Sequence, residues 1–304
     1  MASTESYSSE APAWRGAFHS AYRVKNDAGQ KMTMFQYDIP LPTEQEAVTF
    51  ARFGIEPEER SGYYQQVAKC VHRNVSISNL LRSNGTPSIL TFEKVSQERD
   101  PKTGTTSIRL YSQEVSPIMS QLFRDEIPLL TLLDVFIRLS VIVRDMAKPP
   151  CEVSHRGISM DNVYLTADNK ILLGGFYFST APSAPDILPY LHDSGRHLPP
   201  SLRNGASGSA ATDMQTLSRI LYNFCSGLPW DSEWPSTPNI FPEYAPDALA
   251  QVIRFGMDCS VADCNVFRRK LLDCRKALSK TDAAQISVPV YAPLLDEFVY
   301  HQEM

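Results

Sequence analysis

No two of the six cysteines (Cys70, Cys151, Cys225, Cys259, Cys264 and Cys274) stand in a CxxC pair, so this chain lacks the paired-thiolate pattern of a structural zinc site. Reduced thiols packed in a core are the expected state. No secretory leader is expected either. The start, "MASTESYSSEAPAW", is polar and acidic, with neither a basic segment nor an apolar run, and the expected location is the cytosol. The formal net charge of −5 comes without a basic stripe or a long block of one sign, so neither a nucleic-acid partner nor an anionic membrane patch is expected. Nor does any apolar run reach membrane length unbroken. The most apolar one, "IPLLTLLDVFIRLSVIVRDM", is interrupted by Asp134, Arg138 and Arg144; it reads as a buried amphipathic helix and not as a membrane span. Internal repeats and heptad runs are absent as well, which removes solenoids and coiled coils.

What is present is the composition of an ordinary globular chain. Its 304 residues are 43% hydrophobic and 21% charged, enough for one large domain or two lobes. From Trp14 to Glu114, short alternating segments are separated by turn chemistry at "NDAGQK" (26–31), "SNGTP" (83–87) and "ERDPKTGTT" (98–106), the pattern of β-strands. One helix interrupts them, predicted over "EERSGYYQQVAKCVH" (58–72), where Tyr64, Val67, Ala68 and Val71 recur at helical spacing. Beyond Pro117 the apolar period lengthens to the helical value, predicting helices over 127–147, 212–226, 245–258 and 265–278. A polar, Pro- and Gly-rich stretch at 179–211 separates the first two. The expected organisation is α+β: flexible residues 1–12, a β-rich lobe with one helix over 13–114, a hinge at "QEVSP" (113–117), and a helical lobe over 115–280. The tail, 281–304, carries Val288, Val290, Tyr291, Leu294, Leu295 and Phe298, and is expected to pack on the domain.

One stretch, "SHRGISMDNVYLTADNKILLGGFYF", looks like a catalytic centre from which the acids have been removed. "HRGISMDN" matches the motif H-R-D-x-x-x-x-N as His155, Arg156, Gly157 and Asn162, with Gly157 where that motif has its Asp. Further on, "KILLGGFY" aligns Gly175, Phe176 and Tyr177 with D-F-G, and again the acid is absent. "DMQTLSRILYNFCSGLPW" supplies an Asp-led helix, Asp213, ending before a Gly-x-Pro turn at Gly227 and Pro229. Upstream, "WRGAFHSAYRV" is similar to G-x-G-x-x-G-x-V, with Gly16 kept and with Trp14 and His19 at the outer glycines. "KMTMFQY" stands at V-A-I-K, with Phe35 at the Lys. In this order and spacing the chain resembles the protein kinases over roughly residues 12–280.

The resemblance implies a two-lobed fold, with a five-stranded sheet and one helix in the small lobe and a hinge at Gln113, Glu114 and Val115 facing a nucleotide. It implies a partner Glu on the small-lobe helix, where the alignment gives Tyr63, with Glu59 one turn earlier. It places Ser201 at the Glu of A-P-E. It also implies what is lost. Phosphoryl transfer rests on charge neutralisation and positioning around a polyphosphate. The four groups that supply these, the loop base, the triplet acid, the loop Asn and the strand Lys, are here Gly157, Gly175, Asn162 and Phe35. A hard dication is repaid for lost water only by charged oxygens, so Asn162 alone is not expected to hold magnesium. Phe35 and Tyr177 are large groups placed near where phosphates would lie. His155, Arg156, Phe176 and Asp213 read as framework: His155 and Phe176 as core, Arg156 as a tether for the 179–211 stretch, and Asp213 as an acceptor for catalytic-loop amides. The expectation is a pseudokinase, a protein-binding or regulatory module without a cofactor; ATP binding without magnesium is a second class. The third is an atypical active kinase using displaced acids, Asp161 or Asp168.

Overall fold

The computed structural model describes residues 11–16, 19–41, 46, 50–51, 55–122, 126–190, 198–226, 247–258 and 263–289. Five antiparallel strands come first: β1 (Trp14–Arg15), β2 (Ser20–Lys25), β3 (Lys31–Ile39), β4 (Lys94–Arg99) and β5 (Thr106–Gln113), in the spatial order β1-β2-β3-β5-β4. Turn chemistry sets the register. The Asn26 carboxamide oxygen accepts from Ala28 N (3.1 Å) and Gln30 N (2.9 Å), which closes the β2–β3 hairpin with Lys25 opposite Lys31. Asp100 does the same between β4 and β5 by accepting from Lys102 N at 2.8 Å. The central strand β3 buries Met32, Thr33, Met34, Phe35 and Tyr37.

Helix α1 (Arg60–Ser83) crosses this sheet and runs eleven residues beyond the predicted span of 58–72. The polar run "NVSISNLLRS" hid its second half. Its buried residues, Val67, Cys70, Val71, Asn74, Ile77, Ser78 and Leu81, nevertheless keep one helical stripe, and burial of that stripe outweighs the weak propensity of Ser and Asn. The helix ends where the Asn84 side chain donates to Leu80 O at 2.9 Å.

The rest is mainly helical. β6 (Val115–Pro117) pairs with β8 (Val163–Thr166), and β8 pairs with β9 (Ile171–Leu173), so the QEVSP segment is held as a strand. α2 (Ile118–Leu122) and β7 (Glu126–Pro128) lead into α3 (Leu129–Met146). α4 (Pro200–Arg203), α5 (Ala210–Ser226), α6 (Asp247–Met257) and α7 (Cys264–Leu278) follow, the last three close to their predicted spans. Most of α5 is buried from Asp213 to Cys225, and this helix is the axis of the larger core. Arg275 of α7 grips Asp134 of α3 with two hydrogen bonds (2.5 and 2.8 Å). β10 (Ser287–Pro289) pairs antiparallel with β7, and Val288 is fully buried. Val290 and the residues after it lie outside the described residues, as do residues 1–10.

Cys70, Cys151, Cys225, Cys264 and Cys274 are buried thiols, none of them in a disulfide. Burial pushes the Cys225 thiol up to about 12 and the Cys274 thiol up to about 11, so both are inert core groups. Cys259 lies outside the described residues. Among the described residues no helix is long and apolar enough to cross a membrane.

Candidate functional site

The site is built around a carboxylate. Asp213, in the first turn of α5, has no exposure and accepts from His155 N (2.7 Å), Arg156 N (3.0 Å) and the Ser154 hydroxyl (3.3 Å). It holds the backbone at 154–156, where Arg156 takes a left-handed φ of 61°. The His155 ring packs on Phe176, with centroids 4.9 Å apart, and its Nε2 donates to Gly174 O at 2.9 Å. A carbonyl only accepts, so Nε2 carries the proton. The loop 155–162 and the turn 174–178 are thereby fastened to each other and to α5, and Phe176 is fully buried between them.

Arg156 and Arg73 then fix the segment that follows. Arg156 donates to Phe178 O (2.8 Å) and Ala206 O (3.1 Å), and Arg73 of α1 donates to Ser179 O (2.7 Å), Ala184 O (3.1 Å) and Asp186 O (3.0 Å). The Tyr190 hydroxyl closes the far end on Arg156 O at 2.5 Å. Ser201, expected at a salt-bridge position, is exposed at the start of α4.

Gly157 and Gly175 are both packed over. A Cβ at Gly157 would stand 3.1 Å from the Phe178 ring. Gly175 has φ +73°, and a Cβ there would stand 2.2 Å from the Asn162 carboxamide. Asn162 leans across that space and donates to Gly157 O at 3.1 Å, so its amide braces its own loop. Of the two displaced acids, Asp168 sits on the β8–β9 turn, at the far end of both strands from Asn162 and Gly174. Its carboxylate there is tied to Lys170 (2.6 Å) and the Thr166 hydroxyl (2.5 Å). Asp161 lies half-buried in the tight turn before Asn162.

Between the sheet and this frame the space is aromatic. Phe35, 1% exposed, meets Trp14 (6.0 Å), His19 (5.1 Å), Phe92 (6.1 Å) and Tyr164 (5.8 Å), all but His19 near perpendicular, the favoured edge-to-face geometry. One cluster takes in sheet residues Phe35, Tyr37 and Leu110 together with Tyr164, Leu172, Tyr177 and Phe178 from beyond the hinge. The Tyr37 and Tyr177 hydroxyls share a hydrogen bond (2.9 Å), and His19 Nδ1 lies 3.4 Å from Tyr177. The His19 ring is folded onto Gly16, 2.3 Å from where a Cβ would stand. At the hinge, Val115 N is taken by the Thr33 hydroxyl (3.0 Å), and Val115 O accepts from Thr33 and from Arg23, which also pairs with Glu114 at 4.0 Å. Gln113 ends β5.

No family model matches the chain, and no curated protein matches it. The residues themselves therefore carry the reading. Tyr63 packs on Phe50 and Tyr64, and Glu59 accepts from Glu56 N, both near the start of α1. The residue that reaches the centre is Asn74, about three turns on, accepting from Phe176 N at 2.9 Å and bonding Tyr37. Tyr37 shares the inward face of β3 with Phe35, two residues away. Both were visible as sequence signals: Asn74 as a polar residue in the apolar stripe of α1, Tyr37 through the strand period.

The groups that the resemblance would set against nucleotide and magnesium are engaged within the chain. The hinge amide and carbonyl are already bonded, His19 covers the loop glycine, and Asn162 is turned onto Gly157.

The buried ionisable groups set a pH dependence. Burial pushes His19 and His155 down to about 4 and pushes Asp213 up to about 6. Asp213 contributes stability that is present below its ordinary value and lost as pH rises through about 6; the two histidines contribute stability that is lost as pH falls from 6.5 through about 4. Between those limits two protons favour the unfolded chain and one favours the folded chain. Stability is expected to climb with pH between about 4 and about 6, by about 1.4 kcal/mol per unit from these groups. Urea unfolding across that range checks it. A fall with rising pH would mean that the histidines are charged in the folded protein.

Proposed function

We propose that this chain is a catalytically impaired protein-kinase-like domain, a pseudokinase of two lobes, which works in the cytosol by binding protein partners and not by transferring phosphate. One observation carries the reading: the space between the five-stranded sheet and the 155–178 stretch is aromatic core, with Phe35 packed among Trp14, Phe92 and Tyr164. Around it, the kinase-like frame keeps the parts that serve geometry. Asp213 still holds the amides of 155 and 156, His155 still bonds the turn before the triplet, and Arg156 still tethers the segment beyond it. What is gone are the groups that serve charge. At the strand Lys position of the resemblance stands Phe35, in the middle of that aromatic core.

The alternative, an atypical active kinase, needs an acid in the centre. Asp168 is tied down at the distal turn, which counts against it. Calorimetric titration with ATP, with and without magnesium, separates the readings. No heat in either case is expected. Metal-independent binding would make the chain a nucleotide sensor, and tight magnesium-dependent binding with label transfer to a protein substrate would overturn the proposal.

A further inference from the structure

β4 is the outermost strand of the five-stranded sheet, and among the described residues it pairs with β5 alone. Five of its six residues are exposed, and Val95, at 50%, is one of two exposed large apolar side chains among the described residues. An uncovered edge presents backbone N–H and C=O groups to any second strand, and natural edges are commonly guarded by charge. Here the charges have a two-fold pattern. In "KVSQER" (94–99), Lys94, Ser96 and Glu98 share one face of the strand, and Val95, Gln97 and Arg99 share the other. Lys94 lies over the Tyr111 ring (5.1 Å), and Glu98 accepts from Arg109 (2.9 Å), so both are held above the neighbouring strand β5.

Antiparallel self-pairing about an axis through Ser96 sets Lys94 opposite Glu98 of the second copy, twice, and Val95 opposite Gln97. Residues opposite each other in an antiparallel ladder share a face, so the axis can move only in whole-residue steps. One full step puts Val95 against Arg99 and Lys94 against Asp100, and the other puts Val95 against Val95 and Lys94 against Ser96; the axis through Ser96 sets Glu93 opposite Arg99 as well as Lys94 opposite Glu98, two kinds of opposite-charge pair where the others make one or none. Charge thus favours one register, as side-chain period and pairing require of a specific strand contact.

We propose that β4 pairs antiparallel with β4 of a second copy about Ser96, joining two five-stranded sheets into one. The contact is narrow, so the dimer is weak and concentration-dependent. It stands independently of the pseudokinase reading, because nothing in the cleft takes part.

Sedimentation velocity of the full chain over a concentration series tests it. The expected result is a shift from monomer to dimer with concentration. K94E and E98K, each alone, weaken the dimer at least about tenfold, because two attractive pairs become repulsive. Mixing K94E with E98K restores association, since opposite charges again face each other across the heterologous pair. A chain that stays monomeric throughout overturns the proposal, as does a dimer unaffected by either reversal or a mixture no tighter than its components.

Discussion

Asp213→Ala is expected to destabilise the fold by about 3 to 5 kcal/mol, measured by chemical denaturation. The carboxylate is fully buried and is the acceptor for His155 N, Arg156 N and the Ser154 hydroxyl. Removing it leaves two backbone N–H groups without their acceptor in a site closed to water, and each unmade bond costs about 1–3 kcal/mol. Burial of the charge works the other way: it raises the acid to about 6, so part of the gain from these bonds is already offset in the native protein. The loss of acceptors wins, because alanine removes the charge without satisfying the amides. Asp213→Asn is expected to cost less, since the carboxamide oxygen still accepts from one side. A loss below about 1 kcal/mol for the alanine variant would show that loop 154–156 holds its shape without α5.

Phe35→Ala is expected to cost about 3 to 5 kcal/mol, from lost apolar transfer and from the cavity left among Trp14, His19, Phe92 and Tyr164. The surrounding rings come from the sheet and from both sides of the hinge, and β2, β3 and β5 are tied by long ladders, so the hole cannot collapse easily. A ring-sized apolar void of this kind takes up small aromatic molecules. Benzene is therefore expected to raise the melting temperature of the variant and leave the wild type unchanged. The measurement also bears on function. If Phe35→Ala gained ATP affinity as well, the aromatic plug alone would be what closes the cleft. If it gained benzene binding and no ATP binding, the hinge bonds of Thr33 and Arg23 and the folded His19 are sufficient to exclude a nucleotide.

Much of the architecture was legible because it rests on short-range rules. Turn residues at 26–31 and 98–106 announced the hairpins, and helical spacing located α3, α5, α6 and α7 to within a few residues. The frame residues were legible through their order: His155, Arg156, Asn162, Phe176 and Asp213 converge on one site. Where propensity and burial disagreed, local reading stopped short, as at the polar second half of α1. Which polar residue of that helix meets the 174–178 turn was not legible either: Asn74 does, because the spacing along one helix does not say which turn faces the loop.

By itself the sequence determined that glycines and not carboxylates stand at 157 and 175, since an absent carboxylate is absent in any conformation. Only the tertiary structure decided what replaced their work. The Tyr37–Tyr177 bond joins residues 140 apart, Thr33 reaches Val115 across 82, and Asn162 covers Gly175 through a turn with positive φ. None of these follows from periodicity. Each depends on how the sheet, α1 and the 155–178 stretch close on one another, and burial makes them decisive, because a polar group shut away from water must find its partner inside the protein.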